Sequence, residues 1–330
     1  MAVLSAVFLG FLTQTPTAPI ADNPEVLAWS EKIVALTKAP EPDWSKVTAE
    51  LNHSRAFIHE EIAADRLKTA ADFQRASRLV DDSRGWFENR MLQHELSLCA
   101  FLLGAKEGNP SFRQSWDGLM GALGRKQRFG FFSRPKPGTK KFAPYNVDPN
   151  RPSAMVLLYF TKPQEAIARA KAARDSVEME AIRKVDQDDR QTDWKPEEIE
   201  GIMARDAKRL ARTKELLKQG RLVTARDLHN ASLLLQHSDS ADDYAAAHEL
   251  AVAAFLLGDG EARWLISRTY DRFLLQLGHR QRLGTQYWPG TVEGLGPMDD
   301  KWMNDTIRTT LGAATLEKTR EIAKQYATGG

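Results

Sequence analysis

The 330-residue chain holds a single cysteine, Cys99. One thiol excludes an intramolecular disulfide and any cysteine-based zinc cluster. It sits in the apolar run LSLCAFLLG (96–104), where a packed small hydrophobe is its expected role. A charge excess is also missing, since 46 basic residues face 44 acidic ones. Nucleic-acid binders gather Lys and Arg on one face, so no nucleic-acid partner is expected. No apolar stretch is long enough to cross a bilayer, so no membrane span is expected. The P-loop, the dinucleotide glycine pattern, a serine–histidine triad and a Cys/His zinc set are all absent, and no cofactor or metal is expected.

The longest apolar stretch is AVLSAVFLGFL (2–12), followed by the polar TQTPTAP. Residues 1–21 thus resemble the hydrophobic core and flank of a secretory signal, although no Lys or Arg precedes the run and cleavage after Ala18 or Ala21 would put proline at the −3 position. A secreted or periplasmic location is the expectation. A cytoplasmic protein whose first helix packs on the domain is the alternative.

What the chain does contain is two related stretches. RLKTAADFQRASRLVDDS (66–83) answers RLVTARDLHNASLLLQHS (221–238), and residues 94–130 match 248–284 at 15 of 37 positions without a gap. Such a repeat sets domain count and topology before anything else is read. The expectation is an all-α protein, a tandem duplication of a roughly four-helix unit with a Pro-rich linker. Residues 42–130 form the N-terminal copy, 131–191 a linker and charged helix, and 192–330 the C-terminal copy. Thr69 with Asp72, and Thr224 with Asp227, are helix-start signals three residues apart. They predict a helix from about Ala225 to His237, then one from Ser240 to Leu257 stopped by Gly258, then one from Glu261 to Gly278. The alanines at 245–254 predict close approach of a neighbouring helix. The linker carries six prolines or glycines between 135 and 152, residues 153–160 fit either a strand or a helical turn, and Pro163 opens one charged helix to about Asp188.

A duplication supplies an internal control. Polar residues kept in both copies are expected to be structural, including His94-Glu95 and His248-Glu249. These lack the second histidine four positions on that a zinc protease needs, Leu98 and Val252 standing there instead. Polar residues of the second copy alone are candidates for function. Gln236-His237-Ser238-Asp239 stands where the first copy has Asp81-Asp82-Ser83-Arg84, Arg272 where it has Gly118, and Thr285-Gln286 where it has Phe131-Phe132. The catalytic candidates are His237 as acid or base, biased toward its charged form at a helix C-terminus, Asp271 to orient it or to hold Arg272, and Arg272 as an anion clamp. The ligand-binding candidates are Gln236, Asp239, Gln281, Thr285 and Gln286.

Gln236-His237-Ser238-Asp239, Asp271-Arg272 and the loop Gly278 to Gln286 resemble, in that order over roughly 192–320, an uncharacterised bacterial domain family with Gln-His-x-Asp, Asp-Arg and Gly-x-x-Gln-x-x-Gly-Thr-Gln motifs. The family is a domain of unknown function, usual in secreted or lipoprotein-like chains. The resemblance implies a mostly helical domain and no activity, and it makes the N-terminal copy a degenerate relative. Residues 247–262 are also similar to short helical scaffold repeats that bind partner proteins. The expected role is therefore binding or scaffolding of a small molecule or protein through a site in the C-terminal copy. The alternative is a hydrolase or transferase acting on a polar small molecule or glycan through His237.

Overall fold

A computed structural model of the chain describes residues 20–81, 86–105, 108–136, 139–150, 152–191 and 198–327. Side chains at 108–111 are outside that description. The candidate signal segment, apart from residues 20 and 21, lies outside the described residues, as do Ser83, Arg84 and the start of the C-terminal copy at 192–197.

The fold is all-α. The described residues form fourteen α-helices and one two-stranded pairing, with β1 (Ser133–Pro135) antiparallel to β2 (Phe142–Pro144) inside the Pro-rich linker. Contacts divide the chain into two compact units. One is built on Ser153–His279; the other combines Ala21–Pro152 with Arg280–Gly330. The last fifty residues therefore pack with the N-terminal stretch, which a linear reading of the repeat does not foresee.

In the unit Ala21–Pro152/Arg280–Gly330, α1 (Pro24–Thr37) precedes four helices: α2 (Trp44–Ala63), α3 (Ala70–Leu79), α4 (Phe87–Leu102) and α5 (Gly108–Ala122). Thr69 and Asp72 form a reciprocal capping box that starts α3. Phe73, Leu92, Leu96, Cys99, Phe112 and Trp116 are buried between these helices, and Cys99 is inert packing as expected. Each large side chain buried this way contributes ~2 kcal/mol. The short α13 (Asp305–Thr310) and α14 (Leu316–Ala327) complete the unit. Buried Arg308 ties them together by donating to the Leu283 carbonyl at 2.8 Å and to Thr319 Oγ1 at 2.7 Å.

In the unit Ser153–His279, α6 (Ala154–Thr161) settles the ambiguous apolar segment as helix: Ser153 caps it by accepting the Val156 N–H. The charged helix expected to run unbroken to Asp188 is two. α7 (Pro163–Ala172) ends, Ala173 turns extended, and Ser176 caps a new α8 (Val177–Arg190) by accepting the Met179 N–H. Four helices follow: α9 (Ile199–Lys218), α10 (Ala225–Leu235), α11 (Ala241–Leu256) and α12 (Arg263–Gln276), the last preceded by a 3-10 turn at Gly260–Ala262. Thr224 and Asp227 repeat the capping box at α10. Gly258 (φ +109°) and Gly278 (φ +79°) stop α11 and α12 in the left-handed conformation that glycine alone adopts cheaply. The alanine stretch of α11 permits the close approach expected of it, because Ser232 Oγ on α10 donates to the Ala247 carbonyl at 2.8 Å.

Candidate functional site

The expected site residues fall in two different units. Gln236, His237, Asp239, Asp271 and Arg272 belong to Ser153–His279, whereas Gln281, Thr285 and Gln286 belong to the other unit.

Gln281 is fully buried and committed to its own loop. Its side-chain nitrogen donates to the Gln286 carbonyl (3.0 Å) and the Gly296 carbonyl (2.8 Å), and its side-chain oxygen accepts the Gln286 N–H (2.9 Å). Gln127 makes the same clasp: its side chain donates to the Phe132 and Tyr145 carbonyls and accepts the Phe132 N–H at 2.7 Å. With both amide hydrogens consumed, Gln281 has no donor left for a ligand. Arg282 beside it is buried in a two-bond pair with Glu95, at 2.8 and 3.1 Å. Asp117 plays a loop-closing part as well, its carboxylate accepting the N–H groups of Arg128, Phe129 and Phe131. Thr285 and Gln286 are half-buried, and Gln286 donates to Thr285 Oγ1 at 3.0 Å.

The shared histidines are structural in their geometry. His94 is buried with Nδ1 3.2 Å from Ser115 Oγ, and its ring lies against Trp116. His248 is buried with Nδ1 3.1 Å from the Ile266 carbonyl, and burial pulls its pKa down to about 4, against the small upward pull of that carbonyl. A neutral Nδ1–H donating to a backbone carbonyl cross-links α11 to α12.

His237, Gln236 and Arg272 do come together. Gln236 ends α10, and His237 follows it directly with its N–H still bonded to the Leu234 carbonyl at 3.0 Å. Arg272, one residue past buried Asp271 on α12, donates from a terminal guanidinium nitrogen to the Gln236 carbonyl at 3.0 Å. Tyr244 on α11 is its other polar neighbour, and that phenol itself donates to the Ser238 carbonyl. Ser238 in turn donates to Asp243 Oδ2 at 2.6 Å, which Lys214 also reaches at 2.6 Å, so the turn between α10 and α11 is pinned. Asp239 is exposed and makes no hydrogen bond or ion pair among the described residues.

The residue that positions His237 is Asp186 on α8, which the sequence did not single out. Its Oδ2 lies 3.3 Å from His237 Nδ1, a charge contact without hydrogen-bond alignment. Arg190 lies 2.9 Å from the other oxygen and also reaches Asp206 at 3.1 Å. Arg209 joins through Asp206 at 2.5 Å and lies 3.6 Å from Asp186 Oδ1. Burial pushes the Asp186 carboxyl up, but His237 and Arg190 more than offset it and hold it below the usual carboxylate range. For His237, burial dominates and lowers the pKa, aided by the Arg190 and Arg272 charges and opposed by Asp186. The charged form expected from the helix end is thus corrected: desolvation exceeds the dipole, and the ring is neutral at neutral pH.

Arg272 is the outlier of the cluster. Burial lowers its pKa, Tyr244 opposes that, and Arg190 adds repulsion. Among the described residues no carboxylate pairs with it, its Nε has no hydrogen-bond partner, and Gln236 Oε1 beside it is buried and equally unpartnered. The guanidinium is half-buried and is held by one carbonyl and one phenol, so an added acceptor there would form a charge-assisted bond.

Comparison with protein-family models, with curated proteins and with solved structures finds no match.

Proposed function

We propose that the chain is an exported, tandemly duplicated helical protein that binds a small polar ligand bearing a carboxylate or phosphate, with Arg272 as the anion's partner. The observation that carries this is the half-buried Arg272 guanidinium, whose buried Nε has no hydrogen-bond partner and which no carboxylate among the described residues pairs with, next to an unpartnered Gln236 Oε1. Burying an uncompensated charge costs several kcal/mol, roughly, unless a partner arrives. A carboxylate would accept from Arg272, and a hydroxyl or amide N–H on the same ligand would donate to Gln236. The apolar segment 2–12 supports export, and no described helix is long and apolar enough to cross a membrane.

The Asp186–His237 contact supports a second reading, a hydrolase or transferase in which Asp186 holds Nδ1 and Nε2 moves the proton. Binding is tested by thermal shift of the full chain with inorganic phosphate and with citrate, glycerol serving as neutral control. The anions are expected to raise Tm in wild type and to leave Arg272→Met unshifted. An equal shift in Arg272→Met would place the anion elsewhere.

A further inference from the structure

Residues 153–279 carry a second polar feature, beside the start of α10, whereas His237 follows its end. A cleft of about 420 Å³ opens at the start of α10 and the turn between α11 and α12. Its walls include Lys171, Asp175, Thr224, Arg226, Asp259 and Glu261. His229, on α10, sends Nδ1 to within 3.0 Å of Asp259 Oδ2, and its side chain is only 12% exposed. Donor atoms of His229, Asp259 and Glu261 all lie within 4.8 Å of one another.

We propose that His229, Asp259 and Glu261 form a binding site for a divalent transition-metal ion, zinc being the natural probe. Three arguments carry it. The first is geometry: two ligands each about 2.1 Å from one ion stand about 3.0 Å apart at an octahedral angle and about 3.4 Å apart at a tetrahedral one, so His229 and Asp259, 3.0 Å apart, need at most a small shift to share an ion. The second is charge. The Glu261 carboxylate makes no hydrogen bond or ion pair among the described residues, yet it sits beside a second carboxylate. A cation between them removes that repulsion. The third is the donor set. One imidazole and two carboxylates suit zinc or manganese, and three protein ligands beside an open cleft leave coordination positions for water or a ligand. In the matching stretch of sequence, Gln74 and Ala105 stand where His229 and Asp259 do, so the set belongs to the second stretch only. Arg226 in the same wall works against a cation, and His229–Asp259 alone would be a helix cross-link, an alternative that Glu261→Gln distinguishes.

The test is calorimetric titration of zinc chloride into the chelator-treated full chain. One zinc per chain is expected, with affinity falling about tenfold or more in His229→Gln and in Glu261→Gln. Glu261 is exposed and unpaired, so Glu261→Gln keeps the fold even if a His229 variant does not. Absence of stoichiometric zinc binding to wild type overturns the proposal. So does zinc binding by Glu261→Gln with wild-type affinity, which would put the ion on other histidines.

Discussion

Two guanidinium groups, one in each matching stretch of sequence, differ in the helix that supplies them and in their counter-ion. In the first stretch Arg90 projects from α4, lies against Gly118, and pairs with Asp81 and the Gln93 side-chain oxygen, the latter at 2.7 Å. In the second, Tyr244 replaces Arg90, and the guanidinium comes instead from Arg272, at the position of Gly118. The acid has gone: Gln236 stands at the position of Asp81. One stretch neutralises its cation internally and the other leaves it without a counter-ion. Random surface drift does not swap the donor helix and delete the acid together. A site that takes its counter-ion from solution does.

The largest expected effect concerns residues that this comparison assigns to structure. Glu95→Gln breaks a fully buried pair and leaves Arg282 only the more distant Asp299 carboxylate at 3.6 Å, which costs about 3 kcal/mol. Urea unfolding is expected to show that loss, with the anion response at Arg272 intact in the folded protein. A lost response with unchanged stability would reverse the assignment.

The next effect is on pH dependence. His248 has a folded pKa of about 4 against 6.5 in the unfolded chain. As pH falls below about 6.5 the unfolded state takes up the proton first, so stability drops by ~3 kcal/mol down to about pH 4 and then levels. His248→Gln should flatten that window in a series of urea midpoints. An identical slope in wild type and variant would show that His248 titrates in the fold as it does in the unfolded chain, and would contradict the lowered pKa.

The smallest effect sharpens the comparison itself. Gln236→Asp restores to the second stretch the acid that the first one has. Stability should rise by about 1–2 kcal/mol through a charge-assisted bond to Arg272, and the phosphate-induced thermal shift should vanish. A destabilised Gln236→Asp that still responds to phosphate would break the parallel between the two cations.

Local signals in the sequence carried over to the structure wherever one turn of chain contained them. Thr69 with Asp72 and Thr224 with Asp227 announced their capping boxes three residues apart, and both boxes form. The convergence of Gln236, His237 and Arg272 was visible because two stretches could be compared. Asp186 was not visible: it lies on a helix that read as linker, and only the packing of α8 beside α10 brings it to His237. The same holds for His229 and Asp259, thirty residues apart and outside any ligand spacing. Gln281 was misread for the opposite reason. It stands in a motif with Thr285 and Gln286, but both of its amide hydrogens close the loop.

The central claim is that Arg272 is kept for a ligand and not for the fold. It is tested most directly by the unfolding free energy of Arg272→Met in ligand-free buffer. Removing a half-buried cation that has no acid partner among the described residues should leave stability within ~1 kcal/mol of wild type or raise it, while phosphate no longer stabilises the protein. A loss of about 3 kcal/mol or more in ligand-free buffer would show that Arg272 holds α10 and α12 together, and would contradict the account.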